Sequence, residues 1–224
     1  MKSRIGLLGG TFNPIHRGHI ELGLKIREAF HLKEILYILS ARPPHKKGLE
    51  VAPIDLRWKM LEKALGPFPH LVPCDIEMRR AADSWTIDTV NELITQDSDQ
   101  QYYFISGSEG FLRIKTWKNY KKLLNTLSFI VVLRKEPDGT SVEQLLKEEG
   151  IIPYYSNDIT QQKPNPAGKP AVYIFSYQSE HLFISSTLIR KKIKLSGYKL
   201  IENFVGEEVK KIMEENRLYE KRGI

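Results

Sequence analysis

Two histidines, His16 and His19, lie three residues apart in the stretch GGTFNPIHRGHI, which runs from Gly9 to Ile20. At the start of a helix this spacing places both imidazoles on one side, with Cβ atoms about 5–6 Å apart. Imidazoles there can donate hydrogen bonds to phosphoryl oxygens, because their pKa lies near neutrality. Zinc binding and ordinary packing in a turn are the alternatives. A zinc site needs further ligands at regular spacing, and the sequence shows no such set.

The residues before the histidines favour the phosphate interpretation. Gly9 and Gly10 come where an apolar run ends, so the backbone there can turn tightly or approach a ligand closely. A helix that begins between Pro14 and Gly18 offers free backbone N–H groups and a positive dipole end to an anion. The stretch matches neither the Walker A loop nor the G-x-G-x-x-G motif of dinucleotide oxidoreductases.

A second candidate for phosphate binding is the late stretch ISSTLIR. Ser185, Ser186 or Thr187 can cap the helix that follows, whose free N–H groups then face an anion. Arg190 comes four residues after Ser186, so the two side chains share a helix face. The alternative is a plain helix cap followed by a surface arginine, and these residues alone leave both interpretations open.

Further loops offer groups for a second substrate that is anionic and aromatic. In RPPHKKG two prolines stiffen a loop that carries His45 and Lys46; the alternative is an exposed basic loop. DSWTIDT predicts a helix start at about Thr86, with hydroxyl groups from Ser84 and Thr86 beside its N–H groups. Trp117 can stack on a planar heteroaromatic ring, although core packing is the more usual role of a tryptophan.

These loops need a scaffold in which strands alternate with helices. The strand-like apolar runs are RIGLLG, EILYIL, HLVPCDIEM, QYYFIS, LSFIVVL, AVYIF and LFI, with helical patterns between them. The alternation predicts an α/β fold: a single Rossmann-like domain with an open, mainly parallel sheet and helices on both faces. Ligands bind beyond the carboxyl ends of such strands, so the loops should converge on one cleft. We expect one domain over residues 1–224, which includes C-terminal helices at about 186–219.

The composition restricts the class of protein. The chain has 224 residues, a formal net charge of +7 and one cysteine, Cys74. The excess of cations suits anionic partners, and a single cysteine excludes an internal disulfide and favours a reducing compartment. The sequence shows no transmembrane span and no signal peptide, so we expect a cytoplasmic protein without a membrane partner. A nucleic-acid binder would show a basic stripe interleaved with aromatic residues, and this signature is missing.

Together the motifs resemble the nucleotidylyltransferase superfamily, whose signatures are H-x-G-H in the first loop and I-S-S-T-x-x-R before a late helix. GGTFNPIHRGH, PPHK, SWTIDT, GSEGF and FISSTLIR are similar to the bacterial nicotinate mononucleotide adenylyltransferases, over Ile5 to about Tyr219. The resemblance implies transfer of the adenylyl group of ATP to nicotinate mononucleotide in NAD synthesis, giving deamido-NAD and pyrophosphate. It also implies Mg²⁺ held mainly by the ATP phosphates, no metal ion held by the protein alone and no nucleic-acid partner, and it leaves a homo-oligomer open.

The resemblance also assigns roles to residues. It implies that His16, His19 and Arg190 are catalytic, with the histidines at the crowded α-phosphoryl group and the arginine at the outer phosphates. It implies that Trp117 stacks on the pyridine ring and that Thr86 lies near its carboxylate. The other ATP-binding residues it implies are Gly9, Gly10, Thr11, Phe12, Gly107, Ser108, Ser185, Ser186 and Thr187, and the others for the mononucleotide are His45, Lys46, Ser84 and Trp85.

The chain departs from the family pattern at three positions. Asn13 and Glu109 stand where Asp is usual, and Trp85 stands where Tyr is usual. A related transferase that uses nicotinamide mononucleotide or another phosphorylated acceptor is the alternative. SWTIDT and the later pair TW, which is Thr116 and Trp117, argue against it. We also expect a site that has helix N–H donors and no acidic residue for an amide, which favours nicotinate over nicotinamide.

Overall fold

The strands of the chain form a single parallel sheet. The computed structural model describes residues 2–42, 51–81, 83–133, 138–155, 170–181 and 183–221. Within them seven strands pair in the order β3-β2-β1-β4-β5-β7-β6, and every neighbouring pair is parallel. This confirms the predicted α/β fold with an open sheet. The strands are β1 (Ser3–Gly10), β2 (Glu34–Leu39), β3 (Leu71–Cys74), β4 (Gln100–Gly107), β5 (Ser128–Leu133), β6 (Tyr154–Tyr155) and β7 (Val172–Ser176).

Helices begin close to the positions that the capping and turn residues predict. The first follows the histidine loop and starts at Arg17, and later ones start at Thr86 and Ser186. None of the described helices has the length and apolar character that crossing a membrane needs. The helices are α1 (Arg17–Ala29), α2 (Ile54–Leu65), α3 (Thr86–Gln96), α4 (Ser108–Phe111), α5 (Tyr120–Thr126), α6 (Asp138–Glu148), α7 (Ser186–Ser196) and α8 (Glu207–Glu215), with 3₁₀ turns at Ile114–Thr116 and Gly197–Ile201.

Each face of the sheet has its own apolar core. On one face α1, α2, α7 and α8 bury side chains such as Ile26, Met60 and Met213. On the other face α3, α5 and α6 bury side chains such as Val90 and Leu123. Removing one such side chain from water contributes about 1.5–3 kcal/mol. The two cores confirm the expectation of helices on both faces.

Two strand predictions were wrong, the second of them in part. In the run LFI, Phe183 and Ile184 do not lie in a strand: Phe183 lies in a turn and is 72% exposed, and Leu182 lies outside the described residues. The strand predicted over HLVPCDIEM ends at Cys74, where the Met78 backbone N–H donates to the Asp75 carbonyl oxygen and closes a turn. The two-residue strand β6 was missed, because Tyr154 and Tyr155 are too few to show a period.

The order of the strands reverses beside β1. From β1 the chain builds β2 and β3 on one side, and then returns to place β4 and β5 on the other side. The switch point therefore lies between the carboxyl ends of β1 and β4, at Gly10 and Gly107. Loops that diverge at such a point leave a crevice between them.

Candidate active site

A cavity of about 370 Å³ lies at this switch point. Its wall combines the end of β1, the residues after β2, the start of α3 and the end of β4. The expected convergence of loops is therefore present for four of the five, and the fifth, before α7, contacts the histidine loop. The predicted site residues in the wall are Gly9, Gly10, Thr11, His19, Ser84, Trp85, Thr86, Gly107 and Trp117.

The two histidines lie face to face at the start of α1. Their rings are stacked, with centroids 3.6 Å apart. His16 is buried as the residue that precedes α1, whereas His19 lines the cavity. The His16 backbone N–H donates to Nδ1 of His19 at 3.3 Å. Because Nδ1 accepts this bond, the proton of a neutral His19 lies on Nε2.

Two aromatic residues support His19 from behind. The Phe12 ring packs edge-on against the imidazole with centroids 5.2 Å apart, and the Tyr37 hydroxyl donates to the His19 carbonyl oxygen at 2.7 Å. Burial raises the pKa of Tyr37 far above its usual range, so the hydroxyl stays a neutral donor. Phe12 has a φ of 44° and is buried, so it supports the wall without belonging to it. A Cβ at Gly10 would lie 2.9 Å from this ring.

Gly18, between the two histidines, has no room for a side chain. A Cβ at this position would lie 2.8 Å from the His181 carbonyl oxygen and 3.2 Å from Nδ1 of His16. His181 belongs to the segment that leads into α7, and its Nδ1 lies 2.6 Å from Oε2 of Glu21 on α1. Only a glycine lets that segment pass so close to the start of α1.

The start of α7 joins the histidine loop through side chains. Ser186 Oγ donates to the Pro14 carbonyl oxygen at 2.8 Å, and Arg190 Nη1 donates to the Asn13 carbonyl oxygen at 2.9 Å. The two stretches predicted to bind phosphate are therefore in contact, although 172 residues separate Pro14 from Ser186. Arg190 also donates through Nη2 to Thr187 Oγ1 at 3.3 Å.

Ser185 caps α7 as the residue pattern predicts. Its Oγ accepts a hydrogen bond from the Leu188 backbone N–H at 3.1 Å. The side chain of Ser185 is thus used by the cap, whereas that of Thr187 is exposed. The helix N-terminus stays suited to an anion, since a cap satisfies only one of the first N–H groups.

The start of α3 forms the opposite part of the wall. Trp85 precedes the helix and Thr86 is its first residue, as the sequence predicts. Ser84 ties this start to the residues after β2, because its Oγ accepts from the Arg42 backbone N–H at 3.1 Å. The backbone N–H of Ser84 also donates to the Arg42 carbonyl oxygen at 3.1 Å. This end of α3 is therefore held rigidly against the cavity.

Trp117 lies in the wall on the same side. Its ring packs edge-on against Phe104 with centroids 5.6 Å apart, which leaves it half-buried. The next residue, Lys118, also lines the cavity, and its Nζ lies 5.9 Å from the Trp85 ring centroid and 2.9 Å from Asp88 Oδ2. Lys118 was not predicted as a site residue. Its position next to Trp117, the predicted stacking residue, could have indicated it.

Glu77 is a second residue that sequence reasoning missed. It is 7% exposed and lines the cavity, where its Oε1 accepts from Thr89 Oγ1 at 2.8 Å. The expectation of a site without an acidic residue is therefore wrong. The error came from including Glu77 in the third strand, which ends before it.

Other predicted residues lie outside the wall. The side chain of Ser108 is fully buried at the start of α4, and Glu109 next to it is exposed and does not line the cavity. His45 and Lys46 lie outside the described residues.

Among the residues that are described, no group of three or more His, Cys, Asp or Glu is placed to hold a metal ion. Burial raises the pKa of the Cys74 thiol.

Asn13 faces the protein interior. It is 4% exposed, and its Oδ1 accepts from the Ala52 backbone N–H at 3.0 Å and from the Tyr219 hydroxyl at 2.6 Å. The side chain therefore joins the histidine loop to the entry of α2 and to the C-terminal segment. Asn13, which the resemblance marks as a departure, therefore occupies a position that organises this loop.

The sequence is similar to known proteins along almost the whole chain. The sequence profile of the cytidylyltransferase-like family matches residues 7–192. A probable nicotinate-nucleotide adenylyltransferase of Geotalea uraniireducens is 30% identical over 216 residues, 96% of this chain and 98% of the relative. One of the same name from Desulfotalea psychrophila is 33% identical over 200 residues, 87% and 90% of the two chains.

The fold also matches a solved structure. The Plasmodium falciparum nicotinic acid mononucleotide adenylyltransferase complexed with NaAD superposes with a TM-score of 0.75 over 97% of both chains. At 19% sequence identity this likeness concerns the fold. The chain therefore belongs to the cytidylyltransferase-like family, among relatives that are named as probable nicotinate-nucleotide adenylyltransferases.

Proposed function

We infer that the chain transfers the adenylyl group of ATP to nicotinate mononucleotide, forming deamido-NAD and pyrophosphate. One observation carries this inference: a single cavity at the switch point has the histidine loop on one side and Trp117 with the start of α3 on the other. The first side suits a triphosphate, and the second suits a planar ring that carries an anionic group. The names of the relatives support the same reaction.

The reaction places simple demands on the site. A 5′-phosphate oxygen of the mononucleotide attacks the α-phosphorus of ATP. The bond between that phosphorus and the oxygen that bridges the α- and β-phosphates breaks, and pyrophosphate leaves with that oxygen. The nucleophile is already an anion, so catalysis consists of positioning and of hydrogen bonds to the phosphoryl oxygens. A neutral His19 that carries its proton on Nε2 offers such a donor from the cavity wall. His16 stacks on it and fixes the plane of its ring.

The other phosphates are assigned to the start of α7. Arg190, Ser186 and Thr187 lie on the first turns of this helix, next to the histidine loop. The Arg190 guanidinium, the Thr187 hydroxyl and the first backbone N–H groups, that of Ser186 included, suit the β- and γ-phosphates, whereas the Ser186 hydroxyl donates to the Pro14 carbonyl oxygen. Mg²⁺ bound to the ATP phosphates would neutralise part of their charge. A magnesium ion of this kind is held mainly by substrate oxygens and water, so it needs no cluster of protein ligands.

The pyridine mononucleotide is assigned to the opposite wall. Trp117 would stack on the ring, and the first N–H groups of α3 at Thr86 would take the carboxylate, with Ser84 and Trp85 beside them. Roles for His45 and Lys46 at the phosphate rest on the family resemblance. We further propose a cytoplasmic enzyme that has no nucleic-acid partner, with a homo-oligomer left open.

Glu77 favours a second candidate substrate, nicotinamide mononucleotide. A carboxylate in the wall can accept a hydrogen bond from an amide N–H, whereas it repels a nicotinate carboxylate placed close to it. Thr89 donates to Oε1 of Glu77, whereas Oε2 is buried and has no hydrogen-bond partner among the described residues. Against the amide, the start of α3 presents N–H donors that suit an anion. We therefore keep nicotinate as the preferred substrate.

Pyrophosphate release from ATP with each mononucleotide tests the substrate. We expect kcat/KM for the nicotinate form to exceed that for the amide form by at least about tenfold, the scale of one charge-assisted hydrogen bond. A reaction without mononucleotide serves as the blank. Preference for the amide would reject nicotinate as the substrate, and no pyrophosphate with either compound would reject the whole function.

Replacing Gly18 by alanine should disturb the histidine pair. The new Cβ would have to displace the His181 backbone or the His16 ring, so we expect at least tenfold lower kcat and a loss of about 1–3 kcal/mol in the free energy of unfolding. Gly66→Ala is the matched control, because its backbone is helical and its Cβ would meet only an ordinary contact at 3.4 Å. Equal turnover in the two variants, measured by pyrophosphate release, would contradict the tight fit at Gly18.

A further inference from the structure

Arg57, on α2, is an arginine buried within the protein. It is 2% exposed, so its guanidinium has almost no contact with water. Within the described ranges it donates to four backbone carbonyl groups: Nε to Ala52 at 3.0 Å, Nη1 to Thr11 at 2.9 Å and Ser40 at 2.9 Å, and Nη2 to Ala41 at 3.3 Å. Burying a cation costs several kcal/mol unless its donors are satisfied, and these carbonyl oxygens satisfy them.

Two of these carbonyl groups belong to the wall of the cavity. Thr11 follows β1, Ser40 follows β2, and both residues line the cavity. The last backbone bond between these two segments runs from the Ser40 N–H to the Gly10 carbonyl oxygen at 2.8 Å. Beyond that bond the two segments diverge. Nη1 of Arg57 then connects them, because it donates to the carbonyl oxygens of both Thr11 and Ser40. Arg57 thus sets the spacing of the wall where the strands no longer do so.

The same arginine also braces the rest of the histidine loop. Ala52 accepts from Arg57 through its carbonyl oxygen and donates through its N–H to Asn13 Oδ1. The Asn13 carbonyl oxygen in turn accepts from Arg190. The loop is therefore held at Thr11 from the interior and at Asn13 from α7. Both holds come from guanidinium groups, and only that of Arg57 is fully buried.

The buried positive charge of Arg57 acts on the loop that we assign to the ATP phosphates. The four partners found among the described residues are neutral carbonyl groups, and hydrogen bonds to them spread the positive charge without cancelling it. A charge acts more strongly through the protein interior than through water, because the effective dielectric constant there is lower. Behind Thr11, this charge faces the loop that we assign to the phosphates of ATP. A neutral group with the same N–H donors could brace the strands but could not attract an anion.

We propose that Arg57 is a positioning residue for adenylyl transfer, which fixes the carboxyl ends of β1 and β2 and places a buried positive charge behind the phosphate loop. This proposal rests on the proposed function. It predicts two separable effects: loss of loop geometry, which lowers kcat, and loss of charge, which raises KM for ATP.

Arg57→Met and Arg57→Lys separate the two effects. We expect Arg57→Met to raise KM for ATP by about tenfold, because the positive charge behind the phosphate loop is lost, and to lower kcat, because the Thr11 and Ser40 carbonyl groups lose their shared donor. Arg57→Lys keeps the positive charge but loses the planar set of guanidinium donors. KM for ATP should therefore recover toward the wild-type value while kcat stays low. Leu123→Ala is the stability control, because Leu123 is fully buried on the opposite face of the sheet. It should lower the melting temperature and leave KM for ATP unchanged.

Three results would overturn the proposal. They are wild-type kcat and KM in Arg57→Met, an equal rise in KM in Leu123→Ala, or failure of both Arg57 variants to fold, which would make Arg57 a residue of stability alone. The proposed function fails separately, if the wild-type chain releases no pyrophosphate from ATP and nicotinate mononucleotide. In that event calorimetric titration of the same variants with Mg·ATP still decides on Arg57, since the charge effect predicts weaker binding in Arg57→Met than in Arg57→Lys.

Discussion

Replacing His19 by alanine is expected to lower kcat for adenylyl transfer by about a hundredfold or more, the scale of removing a preorganised transition-state donor. The imidazole is held by Phe12, by stacking on His16 and by the hydrogen bond to Nδ1, so its Nε2–H is fixed before ATP arrives. A donor that needs no reorientation acts mainly in the transition state. The loss should therefore appear in kcat more than in KM.

A matched histidine tests whether the loss is specific. His70 is exposed and comes just before β3, at the opposite end of the sheet, so His70→Ala should keep wild-type pyrophosphate release. The fold of His19→Ala should survive, because His19 is only partly buried and the helix bonds around it are formed by the backbone. Circular dichroism and thermal unfolding check this. Turnover unchanged in the folded His19→Ala variant would remove His19 from the mechanism.

The sequence was sufficient where the signal was local. The period of apolar residues located the main strands, and the turn and capping residues placed the starts of α1, α3 and α7. Alternation of strands and helices then implied a parallel sheet, whose carboxyl edge had to gather the loops. The cavity wall contains Gly9, His19, Thr86 and Trp117 for that reason. Their proximity follows from topology, which needs no knowledge of individual contacts.

The sequence was insufficient where a role depends on a distant partner. Asn13 is an ordinary turn residue until the Tyr219 hydroxyl, 206 residues away, donates to its Oδ1. From the sequence alone Gly18 is only a helix residue of low propensity, and its role becomes clear from the His181 carbonyl oxygen that passes close to it. Arg57 reads as one of several cations on a polar helix face, because nothing local shows that α2 turns it inward. Such residues are recognised only when the packing of the whole chain is available.

The second large effect is expected at Arg190. Replacing it by glutamine removes the positive charge at the start of α7 and weakens its bond to the Asn13 carbonyl oxygen. Hydrogen bonds from a guanidinium to phosphate are worth about 1.5–3 kcal/mol each, so two of them predict a loss of at least about a hundredfold in kcat/KM for ATP. Lys191→Gln is the control, because it removes one cation from the same helix at an exposed position. It should leave kcat/KM unchanged.

Arg190→Lys then distinguishes the two tasks of the guanidinium. Lysine keeps the charge but lacks the planar fork, so it cannot hold the Asn13 carbonyl oxygen and a phosphate oxygen in one geometry. If Arg190 binds phosphate, lysine should restore part of the affinity for ATP while kcat remains low. If Arg190 only ties α7 to the histidine loop, both variants should lose thermal stability in proportion and keep their KM for ATP. Steady-state kinetics of pyrophosphate release and melting temperatures, measured on the same preparations, separate these outcomes because the phosphate contact exists only with ATP bound, whereas the tie to Asn13 exists without it.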